Sequence, residues 1–301
     1  MSVQQPTEAG TELPARWPAD LALALISLIW GATFIIVKSA LQDISTVYFL
    51  ALRFALASLC MTPVLAIAFR KRGSRAVWRG LRGGAVCGAC LWLGFILQTE
   101  GLRYTTASRS AFLTCLYIVL APPLGAAMER RKPKLGELLG LAVAAAGLLL
   151  LTAPSLGRGF QINRGDLLTI GCAVAFAFQI VTVGFYSQRE MFEPVAFGQV
   201  AIAAVLSGLC LPFEPPHAVW TRGVLFAILI TGVFATAIAF ALQTWAQQRT
   251  TTTRAALLFT LEPVFALATA VAFTGERPGE SALAGCALIL AGIVLVEWKP
   301  R

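Results

Sequence analysis

The chain has 301 residues, of which 57% are hydrophobic and 13% are charged, and its mean hydropathy is +0.76. So much apolar surface exceeds what one water-soluble core of this length can bury, which excludes an ordinary soluble globular protein. The net charge of +9 raises the question of a nucleic-acid partner, and the positions of the charges along the chain decide it.

Runs of mostly apolar residues recur along the chain at the length that a membrane span needs. A helix needs about 20 such residues to cross a hydrocarbon core of about 30 Å. Ten spans are predicted, at 21–41, 47–69, 81–102, 105–128, 135–152, 166–187, 195–213, 223–245, 251–273 and 281–297. The first run follows a polar leader and lacks a basic flank, so we interpret it as the first helix and not as a cleaved signal peptide.

The basic residues are unequally distributed over the two sides of these spans. With the N-terminus inside the cell, 16 Lys and Arg residues fall on the cytoplasmic side and seven on the other, while Arg53 lies inside a helix. The positive-inside rule therefore predicts a multi-pass protein of the cell (inner) membrane with both termini in the cytoplasm. This distribution explains the positive charge, so no nucleic-acid partner is expected.

An internal repeat relates two parts of the chain. Residues 97–151 align without gaps to residues 242–296, and 19 of 55 positions are identical. Earlier positions correspond more weakly, as Asp20 does with Asp166. Each copy therefore contains five predicted spans, and because five is odd, the second copy enters the membrane from the opposite side.

The predicted fold class is an all-α integral membrane protein of ten transmembrane helices, built as two inverted five-helix repeats. The predicted segments are a cytoplasmic N-terminal tail, repeat 1, a linker, repeat 2 and a cytoplasmic C-terminal tail, at 1–19, 20–152, 153–165, 166–297 and 298–301. Such an architecture suits alternating access, because exchanging the conformations of the two copies opens one side or the other. The alternative is a duplication retained only for folding.

Four segments occur in a recognisable order. They are WGATFIIVK at 30–38, LRFALA at 52–57, LQTEGLRYTTASRSAFLTCLYIVLAP at 97–122 and LEPVFALATAVAFTGERP at 261–278. Their order, spacing and twofold recurrence resemble the EamA-like family of the drug/metabolite transporter superfamily, over about 20–297. The resemblance implies two EamA domains, a central cavity between the repeats, and export or exchange of amino acids or other small metabolites. The first copy departs from the pattern with MERRKP at 128–133, where the second has TGERP.

Glu262 is the main candidate for substrate binding or coupling. It lies about 11 residues into the predicted ninth helix, near the midplane, where an ionised carboxylate costs about 2.5 to 3.5 kcal/mol. We expect it to contact a substrate amino group or to take up a coupled proton, and the alternative is a structural hydrogen bond to another helix. Pro263 cannot donate to the carbonyl of Phe259, so we expect a kink that leaves this acceptor free for neighbours, water or solute. A second kink is expected at Pro122.

Arg109 and Arg254 are predicted gates, because the repeat places them at matching depths on opposite faces of the membrane. Each is expected to bond a carbonyl or acid of the facing repeat when its side is closed, and the alternative is that both reach toward lipid headgroups. Lys38 and Arg53 are interpreted as structural residues that extend to the outer surface. The remaining substrate candidates lie on the helices that the resemblance assigns to the cavity: Trp30, Phe34, Trp92, Tyr117, Phe176, Gln179, Gln243 and Trp245.

Other function classes find little support in the sequence. The three Asp residues lie near predicted helix ends or in loops, and the single histidine, His217, lies in a loop. An intramembrane enzyme and an imidazole metal site are therefore disfavoured. No nucleotide-binding motif is present, so no cofactor and no ATP-driven pump are predicted. A passive channel or a non-transporting membrane scaffold stays an alternative, and the architecture does not require an oligomer.

Overall fold

The computed structural model describes residues 17–129, 135–156, 162–274 and 278–297, and these residues fold almost entirely into helices. In chain order the helices are α1 (Trp17–Ala40), α2 (Thr46–Arg72), α3 (Ser74–Tyr104), α4 (Ala107–Thr114), α5 (Tyr117–Glu129), α6 (Leu135–Leu156), α7 (Arg164–Ser187), α8 (Phe192–Cys210), α9 (Arg222–Leu229), α10 (Ala239–Gln247), α11 (Thr252–Leu258), α12 (Leu261–Thr274) and α13 (Glu280–Glu297). A π-helical segment, Ile230–Ile238, joins α9 to α10, and a short 3-10 turn, Leu211–Phe213, follows α8.

Seven helical stretches in the described part of the chain are long and apolar enough to cross a membrane. They are Trp17–Ala40, Thr46–Lys71, Ser74–Tyr104, Arg109–Met128, Arg164–Ser187, Phe192–Phe213 and Arg222–Gln247. Shorter apolar helices are Leu135–Leu151 and Glu280–Leu295. The prediction of an all-helical, multi-pass membrane protein is confirmed. Three predicted parts lie outside the described residues: 1–16 of the N-terminal tail at 1–19, the C-terminal tail at 298–301, and 157–161 of the linker at 153–165. Residues 17–19 belong to α1, and the two ends of the linker belong to α6 and α7.

Two of the predicted spans are interrupted near their middle. The span predicted at 105–128 divides into α4 and α5, and Pro122 lies inside α5, after the interruption. The span predicted at 251–273 divides into α11 and α12, and Pro263 lies in the first turn of α12. The carbonyl of Phe259 accepts a hydrogen bond from the N–H of Glu262 at 3.0 Å. The expectation that this carbonyl is free was therefore wrong, because the chain turns more tightly at the break and uses the acceptor.

Hydrogen bonds establish that α1 and α7 begin at opposite ends of the molecule. Lys38, in the last turn of α1, donates to the carbonyl oxygens of Leu102 and Thr105. The hydroxyl of Thr105 donates to Asp166, in the first turn of α7, at 3.1 Å. We call this end of the molecule the Lys38 end, and the opposite end, where α1 begins, the Asp20 end.

The helices approach each other most closely where glycine faces backbone. A Cβ atom added to Gly147 on α6 would lie 2.7 Å from the carbonyl oxygen of Gly285 on α13, and one added to Gly285 would lie 2.6 Å from that of Gly147. Buried apolar side chains form two large clusters and a small third one, which consists of Cys87, Val183 and Val195. Both Trp30 and Phe176 pack against each of the two large clusters. These two aromatic residues therefore lie at the centre of the helix assembly.

Candidate functional site

A cavity lies at this centre, between α1, α2, α3, α7, α10 and the two interrupted spans. It contains about 670 Å³ of space free of protein atoms, counting the part open to the outside. Seven of the sequence-predicted candidates line it: Trp30, Phe34, Tyr117, Phe176, Gln179, Gln243 and Glu262. Ten further lining residues were not predicted as such: Thr33, Val37, Arg53, Phe95, Gln98, Thr99, Leu102, Thr114, Ile180 and Phe240.

Two predicted candidates lie outside this cavity. Trp92 is partly buried and packs against the apolar cluster formed around α2, α3 and α8. Trp245 lies near the end of α10, where the guanidinium carbon of Arg249 is 4.4 Å from the centroid of its ring. Neither indole therefore forms part of the cavity wall.

Glu262 is a buried acid on the cavity wall, with 4% of its surface exposed. The hydroxyl of Tyr117 donates to its Oε2 atom at 3.2 Å. Its backbone rests directly on α1, because a Cβ atom added to Gly31 would lie 2.5 Å from the carbonyl oxygen of Glu262. No Lys or Arg of the described residues forms an ion pair with this carboxyl group.

Arg53 is a buried cation on the same wall, also 4% exposed. Its Nε atom donates to the hydroxyl of Thr236 at 2.7 Å, and Nη2 donates to the carbonyl of Ala235 at 3.4 Å. Its guanidinium carbon lies 4.4 Å from the centroid of the Phe95 ring, and within the described chain no carboxylate pairs with it. The expectation that Arg53 extends to the outer surface was therefore wrong. Lys38 likewise turns inward to backbone carbonyls.

The π-helical segment positions both Arg53 and Trp30. In a π-helix the backbone bonds run from residue i to i+5, which widens the turn, and such segments are frequent at functional sites. The carbonyl of Ala235, inside this segment, accepts from Trp30 Nε1 at 2.9 Å as well as from Arg53. One backbone oxygen thus orients an aromatic side chain and a cation at the cavity wall.

Pairs of positions related by the sequence repeat line the cavity together. They are Trp30 and Phe176, Thr33 and Gln179, Phe34 and Ile180, Phe95 and Phe240, Gln98 and Gln243, and Tyr117 and Glu262. Because the members of the last pair are in hydrogen-bond contact, the cavity lies where the two copies meet. The charged groups break this correspondence, since Glu262 matches a tyrosine and Arg53 matches Gln199.

The two predicted gate residues form ion pairs at opposite ends of the molecule. At the Lys38 end, Arg109 Nη2 lies 2.5 Å from Asp166 Oδ2. At the Asp20 end, Arg254 bonds Asp20 through two contacts, Nε to Oδ1 at 2.9 Å and Nη2 to Oδ2 at 2.7 Å. Each pair joins an arginine of one copy to an aspartate of the other, so neither arginine extends toward headgroups.

No group of three or more His, Cys, Asp or Glu side chains within the described ranges is arranged to hold a metal ion. His217 lies in the segment before α9, where its carbonyl accepts from the N–H of Ser45 at 2.9 Å.

Helices of membrane length around a central cavity with buried charges are typical of membrane transporters, and the comparisons with known proteins agree. The model of the EamA-like transporter family matches residues 17–153 and, a second time, residues 163–298. The chain therefore belongs to the EamA-like transporter family, which confirms the resemblance found in the sequence.

Alignments with two relatives of known source cover nearly the whole chain. An uncharacterized transporter of Archaeoglobus fulgidus is 34% identical over 292 residues, covering 97% of this chain and 90% of that protein. A probable amino-acid metabolite efflux pump of Salmonella typhimurium is 24% identical over 299 residues, covering 93% and 95%. The crystal structure of another protein, 21% identical in sequence, superposes on this structure with a TM-score of 0.77. The match covers 94% of this chain and 99% of the other, so the two proteins share a fold.

Proposed function

We propose that this transporter is a secondary carrier that exports or exchanges small organic metabolites, such as amino acids, by alternating access. Its ten spans would form two inverted five-helix repeats, with each interrupted pair, α4 with α5 and α11 with α12, counting as one span. The opposite directions of α1 and α7 and the double family match support this arrangement. The charge distribution in the sequence supports an inner-membrane protein whose Asp20 end faces the cytoplasm.

The observation that carries the proposal is a cavity with one buried cation and one buried acid, neither of which forms an ion pair with another of the described residues. Burying an ion costs several kcal/mol, so each group gains from a solute that brings the opposite charge. Arg53 suits a carboxylate, because guanidinium binds carboxylates with paired donors. Glu262 suits an ammonium group, and the surrounding aromatic rings suit an apolar side chain. Together these groups complement a zwitterion of amino-acid type, and the name of the Salmonella relative points to the same class.

Glu262 also suggests how solute movement is coupled. When the ammonium group of the solute leaves, the carboxylate loses its partner in a site from which water is largely excluded. Uptake of a proton would neutralise it, so the carrier would return with a proton in place of solute. An exchanger would instead return with a second solute. The two ion pairs would serve as gates, each separating when its own end opens.

The test is solute exchange in liposomes that contain the purified protein. Labelled amino acids are offered beside two analogues of each, one without the carboxylate and one without the amino group. We expect saturable exchange that rises steeply with temperature for the zwitterions and is at least about tenfold weaker for either analogue. Flux without saturation would indicate a passive channel, and no flux across the whole panel would indicate a scaffold.

Two variants test which charged group of the solute each of the two buried residues binds. Arg53→Gln should abolish the preference for the carboxylate and leave the preference for the amino group, whereas Glu262→Gln should do the reverse and remove any pH dependence of transport. Arg103→Gln is the matched control, since it removes the same charge from a partly exposed side chain at the Lys38 end. The assignment fails if Arg53→Gln keeps the preference of the parent protein.

A further inference from the structure

A cluster of buried amide side chains lies next to the cavity, between α7, α8 and α10. Gln179 Nε2 donates to Gln199 Oε1 at 2.9 Å, and Gln199 Nε2 donates to the hydroxyl of Thr244 at 3.0 Å. Gln243 Nε2 donates to Gln247 Oε1 at 2.9 Å and also contacts Gln179 at 3.3 Å. None of these five side chains, which we call the amide cluster, is more than 2% exposed.

The amide cluster extends from the cavity toward the Asp20 end. Gln179 and Gln243 line the cavity, whereas Gln199, Thr244 and Gln247 do not. Gln247 is the last residue of α10, which ends at the Asp20 end, and its Nε2 atom donates to the carbonyl of Ile180 at 2.9 Å. The cluster therefore fills the space through which the cavity would otherwise continue toward that end.

The sequence repeat relates every member of the amide cluster to a residue of the cavity wall. In the order Gln179, Gln199, Gln243, Thr244 and Gln247, the equivalent positions are Thr33, Arg53, Gln98, Thr99 and Leu102. All five of these line the cavity. Leu102 lies in the last turn of α3, at the Lys38 end, so this wall reaches as far toward the Lys38 end as the amide cluster reaches toward the other. All five positions of one set thus line the cavity, whereas of the equivalent set only Gln179 and Gln243 do.

We infer that the amide cluster is the second half of the solute pathway in its closed form, a gate that becomes the cavity wall when the Asp20 end opens. This inference rests on the proposed alternating access. In the open form Gln199, Thr244 and Gln247 bind the solute through neutral hydrogen-bonding groups.

The chemistry of amides suits such a reversible closure. In the closed form the amide groups satisfy one another, so their burial carries no penalty for unpaired polar atoms. In the open form they exchange these bonds for bonds to water or to the polar groups of a solute, at a small net difference in free energy. An apolar plug would instead expose hydrophobic surface to water each time the Asp20 end opened.

Two threonines provide a matched pair for testing the inference. Thr99 lines the cavity and Thr244 is its equivalent in the amide cluster, and cysteine is close to threonine in size. Thr99→Cys and Thr244→Cys are made in a protein whose seven native cysteines are replaced, and a membrane-impermeant maleimide is applied to oriented proteoliposomes from either side. Asp20→Asn is added to weaken the ion pair at the Asp20 end.

We expect Thr244→Cys to react only from the Asp20 side, and at least about tenfold faster once Asp20→Asn is present. Thr99→Cys should react from the Lys38 side whenever the Arg109–Asp166 pair separates, and it should become slower with Asp20→Asn, because the Asp20 end is then open for more of the time. If Thr244→Cys stays unreactive while Thr99→Cys slows and exchange persists, the amide cluster is a permanent seal and the inference is overturned, although the carrier proposal stands. If Thr99→Cys does not respond and no exchange is measured, the carrier proposal itself fails. Gln247→Cys with Leu102→Cys repeats the test should Thr244→Cys not fold.

Discussion

The two ion pairs at the ends of the molecule repeat the same two residue types in different surroundings. Asp166, at the Lys38 end, has a side chain only 1% exposed, and it also accepts from the hydroxyl of Thr105 and from the backbone N–H of Asn163 at 2.9 Å. Asp20, at the other end, is 20% exposed, and Arg254 is its side-chain partner among the described residues. Within the described residues, Asp166 therefore has three partners, Arg109, Thr105 and Asn163, whereas Asp20 has one, Arg254.

One position of the sequence repeat accounts for part of the difference. Asn163 and Asp166 form a capping box at the start of α7, in which each side chain bonds the backbone N–H of the other residue. The position equivalent to Asn163 in the first copy is Trp17, whose side chain lacks the oxygen that a capping box needs. A duplicated chain can thus keep the contact that joins its two copies while the strength of that contact changes. We expect the Asp20 end to open more readily.

Removal of the two aspartates should give the largest contrast. Asp166→Ala leaves Arg109 with its charge largely buried and should lower the free energy of unfolding by about 3–5 kcal/mol. Asp20→Ala should cost about 1 kcal/mol, because water reaches this pair and weakens it. Both losses can be measured from the unfolding midpoints of the purified protein in detergent. Equal losses would contradict the difference between the two ends.

Two equivalent threonines test the contacts of Asp166. The Thr105 hydroxyl donates to Asp166, whereas that of Thr250, its equivalent, is buried without a partner in the described part of the chain. Thr105→Val should lower the unfolding free energy by about 1 kcal/mol, and Thr250→Val should leave it unchanged or raise it slightly. Thr250→Val is thus the control for the change of shape. A larger loss for Thr250→Val would show that the hydroxyl bond to Asp166 stabilises nothing.

Removal of the capping side chain should have the smallest effect. Asn163→Ala is expected to cost about 0.5–1 kcal/mol, because the N–H of Asp166 loses its acceptor at the start of α7. Trp17→Ala, at the equivalent and exposed position, should change the unfolding midpoint little. If Asn163→Ala also left the midpoint unchanged, the capping box would not explain the firmer Lys38 end.

The sequence predicted the helical class and the family, because these depend on properties that many residues share. Apolar runs of membrane length and the order of the motifs can be recognised even when a predicted helix boundary is wrong by several residues. The interruptions between α4 and α5 and between α11 and α12 were predicted only as kinks at Pro122 and Pro263. In both spans the chain breaks before the proline, between Thr114 and Tyr117 and between Leu258 and Leu261.

The cavity wall was predicted in part. Phe95, Gln98, Thr99 and Leu102 have the spacing i, i+3, i+4, i+7 of one helix face, which the repeat reproduces at positions 240, 243, 244 and 247. That shared pattern was a usable signal, and it places Trp245 on a different face from Gln243. Nothing in the sequence near Arg53 indicated an inward direction, because its partners lie in a π-helical segment far along the chain.

The π-helical segment also determines which way the side chains of α10 face. A π turn contains more residues than an α turn, so Ile230–Ile238 holds more residues than the same number of α-helical turns would. If the segment were rewound as α-helix with all its residues kept, each surplus residue would rotate every later side chain of the span by about 100° about the helix axis. Phe240 and Gln243 would then leave the cavity together. The wide turns of this segment therefore keep the side chains of α10 facing the cavity.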